Sequence, residues 1–322
     1  MKFFVREEAL SEVVGFILIL GLLTIAMSMY VVYEVPVQGE MDEIDHMNGI
    51  KDRFVDYKIS LDSLWINSLG VENSGANVNF SPYGINLGTS FVMGTGGGFK
   101  TGGSGIAPLF FPVPSAGYMT VNQSDGHILI TKNNDAANPV FDKDIGKMSY
   151  NSQNNYWLDQ EYYYQMGGVF LKQTDGVTAR VDPTVSFYGL DGGTKLGVYI
   201  IPVSVKCPTI SQSVGGSGPV MADTRYKNEG QYPPGTVSAQ SVQIELTVKD
   251  SLEAVVWKKV FQSALWREGV YNPDWYDITF PGSRSVKIDI LGPPGSTGDD
   301  VQLSIYNANF SVTLQNVASS LE

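Results

Sequence analysis

The chain has 322 residues, 35 of them glycine, with 17% charged residues and a formal net charge of -12. That length allows one large domain or two ordinary ones beyond a hydrophobic segment, and the glycine-rich, charge-poor balance points to a β-rich body with many tight turns, not a helical bundle. So acidic a surface repels phosphate backbones and argues against nucleic acid as a partner, while the single cysteine, Cys207, rules out an internal disulfide and a cysteine-based zinc site.

Residues 13–33 carry no charge and are bracketed by Glu12 and Glu34. As a helix this run rises roughly 30 Å, the thickness of a bilayer core. A cleaved secretory signal has a shorter apolar core followed by small residues. Here the run ends in "MYVVYEVPVQ", so the segment is expected to stay on the protein as a single transmembrane helix. Lys2 and Arg6 precede it and the acidic "EVPVQGEMDEID" follows. The positive-inside rule then puts the N-terminus in the cytoplasm and the rest of the chain outside the cell membrane. Gly15, Gly21, Ala26 and Ser28 would permit close helix contacts. Glu12 costs on the order of 3 kcal/mol if buried unpaired beside this run; the plainer reading leaves it solvated at the headgroups.

Pro36 and Gly39 predict an interruption, with an amphipathic helix over 40–69 beyond it. Met47, Phe54 and Leu61 recur every seven residues, as do Ile50, Tyr57 and Leu64, offset by three. The seam reads as a helix docked along a globular domain; a self-associating stalk is the sharper alternative.

From about Asn77 the period switches to two. "VNFSPYGINLGTSFVM", "GYMTVNQ", "GHILITK", "TVSFYGL", "KLGVYIIPVSVK", "SVQIELTVKD", "WYDITF", "SVKIDIL" and "VQLSIYNANFSVTL" read as strands. "MGGVFLKQTDGVTARV" reads as a hairpin turning at Asp175 and Gly176. "DSLEAVVWKKVFQSALWREG" reads as a helix capped by Asp250 or Ser251 and stopped by Gly269. The predicted fold is mainly β with a long N-terminal α-helix: a transmembrane helix at 9–35, then an amphipathic helix docked on an extracellular β-sandwich-like domain at 70–322. The turn-rich stretch 207–236 is a candidate boundary within that domain.

The stretch "REEALSEVVGFIL" carries a further signal in Ala9, Leu10, Ser11, Glu12, Val13, Val14, Gly15, Ile17 and Leu18. It resembles the start of archaeal type IV pilin-like proteins, which carry a class III signal peptide. "YYYQMGGVFLKQTDG", between a glycine-rich strand region and a Trp-containing helix, is similar more diffusely to uncharacterised archaeal pilin-like membrane proteins. The resemblance implies that a prepilin-type peptidase removes residues 1–8 by cutting between Glu8 and Ala9. This sequence departs from the family in having two glutamates after Arg6, where the family has its basic residue at the cut. The resemblance further implies that the apolar helix stays in the membrane or packs with other pilin-like subunits in a filament core. Gly15 and Gly21 would sit at helix contacts there, and Glu12 would pair with a neighbour's N-terminal amine. The expected function is a pilin-like surface protein displaying a β-rich domain for adhesion or surface contact. The alternative is a non-polymerising single-pass protein whose β domain binds a ligand or supports the envelope.

No catalytic, cofactor-binding or metal-binding residue is assigned, and the chain is read as not an enzyme. "GTGGGFKTGGSG", 94–105, has Phe99 where a phosphate loop needs glycine before its lysine. Two histidines, His46 and His127, form no ligand or triad spacing. "NNDAANPVFDKD", 133–144, lacks the central glycine and final glutamate of a calcium loop. Asn79, Asn122 and Asn309 open N-glycosylation triplets. Tyr162, Tyr163 and Tyr164 read either as an adhesive patch or as alternating core and solvent positions.

Overall fold

The computed structural model of the chain describes residues 5–73, 86–96, 110–231, 236–267, 273–292 and 298–316. Helix α1 (Val5–Met29), a π turn (Tyr30–Glu34) and α2 (Val35–Asn73) run end to end, roughly 100 Å at 1.5 Å per residue. The expected break at Pro36 and Gly39 is therefore corrected. Pro36 lacks an N–H, and its ring crowds the carbonyl four residues back. Just before it, the Val35 N–H reaches the Tyr30 carbonyl five residues back, and this wider turn admits the ring. Gly39 marks a close approach: the Tyr156 ring occupies the place of a Cβ there.

Strands follow as β1 (Asn86–Val92), β2 (Ala116–Lys132), β3 (Phe141–Gln153), β4 (Glu161–Gln165), β5 (Gly168–Gln173) and β6 (Gly176–Val181). Next come β7 (Val185–Leu190), β8 (Lys195–Ile200), β9 (Val203–Lys206), β10 (Ser211–Gly216), β11 (Pro219–Gln231), β12 (Val237–Ala239) and β13 (Val242–Val248). Helix α3 (Ser251–Arg267) precedes β14 (Tyr276–Gly282), β15 (Ser285–Ile290) and β16 (Val301–Asn316). One sheet runs β1-β11-β16-β8-β7, with β9 and β12 also on β16. The other runs β14-β15-β13-β2-β3-β4-β5-β6, with β10 on β2. Pairing is antiparallel except that β8 and β9 lie parallel to β16.

Several expected strands change shape for local reasons. "KLGVYIIPVSVK" splits into β8 and β9 around Pro202, which cannot donate to a ladder. "GYMTVNQ" and "GHILITK" join as β2, and the residues between them form an irregularity opposite β3, not a reversal. The β5–β6 hairpin turns where expected, with Thr174 and Asp175 between its strands. Asp250 caps α3, accepting the Leu252 N–H at 3.0 Å. Gly269, the expected stop, lies outside the described residues, as does the start of the first expected strand.

Two apolar clusters share the long strands. Met119 and Val121 of β2 and Phe310 and Val312 of β16 join a core around α2. Ile128 and Ile130 of β2 and Leu303 and Ile305 of β16 join another around α3. The stretch 207–236 does not divide the body: β10 pairs with β2, and β11 lies between β1 and β16. The tyrosine run forms no surface patch. Tyr162 and Tyr164 face the α2 core and Tyr163 the α3 core, because β4 is covered on both faces.

Phe54 is fully buried, with its ring 5.1 Å from Phe91. Phe54→Ala is expected to lower the unfolding free energy by about 3–5 kcal/mol. Ile59→Ala, on the exposed side of α2, is expected to change it by about 0.5 kcal/mol or less. Urea unfolding of the full chain in detergent checks both.

Candidate functional site

The long helix changes character along its length. From Val13 to Met29 its large apolar side chains stand exposed. Among the described residues it is the one helix long and apolar enough to cross a membrane. Its hydroxyls turn inward: Thr24 donates to the Leu20 carbonyl and Ser28 to the Thr24 carbonyl, each at 2.7 Å. Polar groups satisfied within the helix suit an environment without water. Glu12 is exposed, and a Cβ at Gly15 or Gly21 would meet nothing within 4 Å. These three positions, expected from the sequence as assembly contacts, therefore lie open on a single chain. Glu8 and Ala9 fall within α1.

Burial begins just past the π turn. Val35, Gly39, Glu43, Met47, Ile50, Phe54, Tyr57, Leu61 and Trp65 are all buried, three or four residues apart on one face. Strands from both sheets, β1 and β11 of one and β4 and β5 of the other, meet α2, and the residues from Met47 on join their shared core. The seam docks as expected and leaves no stalk. Deep in the seat the Tyr57 hydroxyl lies 3.0 Å from Thr224 Oγ1, and burial pushes its phenol well above the usual range. Lys58 pairs with Asp62 at 2.6 Å, and the Trp65 indole N–H donates to the same carboxylate.

Glu43 holds the end of the seat nearest the apolar run. It is 1% exposed. Its carboxylate accepts backbone N–H groups from Asn155 at 2.6 Å, Tyr156 at 2.9 Å and Trp157 at 2.6 Å. Three donors converging on one carboxylate pin the β3–β4 turn to the helix. Sequence reading passed over Glu43 as one charge among many, because its partners lie more than a hundred residues away.

One turn on, the His46 Nε2–H donates to the Val92 carbonyl at 2.9 Å, and Nδ1 is buried without a partner. Burial lowers the His46 pKa, opposed by the Val92 carbonyl and the Glu43 charge. A cavity of about 370 Å³ opens beside it, lined by Asp42, Asp45, Arg53, Val92 and Thr95 among others. The glycine-rich stretch that continues from this wall lies outside the described residues from 97 on.

Other charged groups pair within the β body. Lys147 lies 3.0 Å from Glu253, 3.1 Å from Asp125 and 3.4 Å from Glu161, with the Tyr163 ring beneath it. These carboxylates converge on a buried ammonium and join β2, β3, β4 and α3. Burial raises the Glu253 pKa against the pull of Lys147 and Lys172. His127 sits between Asp142 at 3.0 Å and Asp144 at 3.1 Å on the surface. In the acidic turn, Asp135 Oδ1 accepts N–H groups from Ala137 and Asn138, and the Asn138 side chain donates to Oδ2. Cys207 is buried just past β9.

Of the glycosylation triplets, Asn79 lies outside the described residues. Asn122 is half-buried and donates to Asp125. Asn309 is corrected as an acceptor in the folded chain: it is 1% exposed in β16, so a glycosyltransferase cannot reach it. Compared with known protein families, with curated proteins and with solved structures, the chain matches none.

Glu43→Ala is expected to cost about 3 kcal/mol, because three backbone donors lose a charged acceptor, with Glu43→Gln falling between it and the parent. Chemical unfolding measures the loss, and hydrogen exchange at Asn155, Tyr156 and Trp157 should speed up first. The folded His46 binds protons less readily than the unfolded one, so its contribution is complete above about 6.5 and is lost as pH falls below that value. The melting temperature should therefore fall between pH 7.5 and 5.5, and His46→Gln should flatten that part of the profile.

Proposed function

We propose that this chain is a pilin-like cell-surface protein, held at a membrane or in a filament by its N-terminal helix and displaying its β body outward. The observation that carries this reading is the single helix, exposed and apolar over residues 13–29 and then buried in the core of the β body from Val35. That plan makes one element both anchor and scaffold. The leader-like "REEALSEVVGFIL" supports processing by a prepilin-type peptidase between Glu8 and Ala9. Membrane, peptidase and other pilin-like subunits are the partners implied. The buried tyrosines make the exposed loops and sheet edges, not the 162–164 run, the surface offered for adhesion.

The second reading keeps the anchor and drops polymerisation. It is supported by the breadth of the β body, which limits how closely neighbouring helices approach.

Mass analysis of the N-terminal peptide, from protein isolated from its native membrane, tests the first reading. A mature chain beginning at Ala9 is expected. An intact Met1 would overturn processing and leave the single-pass anchor.

A further inference from the structure

The lower rim of the β body carries apolar side chains that the function above does not use. Phe111, Val113 and Leu158 are each more than half exposed, at 60%, 59% and 54%. They belong to two adjoining segments, 110–114 ("FFPVP") and the β3–β4 turn. The segments brace each other: the Val113 N–H donates to the Tyr156 hydroxyl at 3.0 Å, and the Asn155 side chain donates to the Pro114 carbonyl at 3.2 Å. Glu43 then locks the turn to the helix.

The height of segment 110–114 is fixed by a direct contact. The Phe110 ring lies 6.2 Å from the Tyr30 ring. Tyr30 is three residues inside the end of the uncharged run, roughly 5 Å along the helix. If the run fills a bilayer core, segment 110–114 lies at the headgroup layer, while the β3–β4 turn, held at Gly39 and Glu43, lies roughly 9–15 Å beyond the end of the run. Tyr30 and Tyr33 lie at the headgroup layer too, where aromatic side chains are favoured. Val37 and Met41, roughly 10 and 16 Å further along the helix than Tyr30, carry the exposed apolar surface beyond that level. No lysine or arginine occurs in 30–43, 110–114 or 154–160, so no attraction to anionic lipid is involved. Two prolines in 110–114 limit the conformational freedom that ordering this loop would cost.

We propose that segment 110–114 forms an apolar foot that enters the headgroup layer of the bilayer crossed by the helix. The β body is thereby seated flush on the lipid surface and does not swing above it. The proposal rests on the membrane-anchored reading.

The test places the full-length protein in phosphatidylcholine nanodiscs, with a fluorophore on Val113→Cys or, as a second variant, Phe111→Cys. Cys207 is buried and stays unlabelled in the folded chain. Leu20→Cys reports the helix in the same discs, and Asp175→Cys reports the exposed β5–β6 turn. The 113 and 111 labels are expected to lose emission to a lipid carrying a nitroxide near its headgroup and to resist iodide, while the 175 label stays open to iodide. Labels at 113 and 111 open to iodide, with the 20 label quenched by a deep nitroxide lipid, would overturn the foot and leave the anchor standing. A 20 label out of reach of lipid would overturn both. Shielding of 113 only in discs holding two or more copies would assign the rim to a protein neighbour and overturn the lipid assignment.

Discussion

A helix of this length kinks sharply only where its hydrogen-bond ladder is altered, and here the alteration at the π turn and Pro36 leaves the helix continuous. The nine-residue seam from Val35 to Trp65 is clamped by strands of both sheets. The β body therefore inherits the direction of the apolar half of the helix. Moving the body relative to α2 would require unseating Phe54, Tyr57 and Leu61, all fully buried, and moving it relative to the apolar half would require bending the helix at the π turn. The orientation is thus set by packing rather than by a linker.

Polar groups refine that seat. Glu43 turns the β3–β4 loop into an extension of the helix by taking up three N–H groups. On the far side of β4, Lys147 gathers carboxylates from β2, β4 and α3. A carboxylate or ammonium buried alone would be costly, and in both places the partners come from separate strands or loops. These contacts therefore fix which elements meet as well as how strongly they hold.

The apolar run and the docking seam could be read directly, because each is a local periodic signal. The seam shows where a strict seven-residue repeat fails. Leu64 continues the heptads, yet Trp65 is the buried residue and Leu64 is only half-buried. A straight helix drifts about 20° per heptad, which brings the next residue onto the docked face by the third repeat. Gly39 and Glu43 carried no such signal, since their meaning depends on Tyr156 and its neighbours. Alternation in the tyrosine run was visible, but not that both faces of β4 are covered. The Asn309 triplet failed for the same kind of reason: three residues do not reveal which strand lies at the centre of a sheet.

The central claim is that the apolar half of the helix and the β body move as one piece. Pulsed electron–electron double resonance between spin labels at Leu22→Cys and Asp175→Cys, both exposed positions, tests it most directly. One narrow distance distribution, the same in detergent and in nanodiscs, is the predicted result. A broad distribution, or one that changes between the two, would mean a hinge at residues 30–36 and would contradict the account.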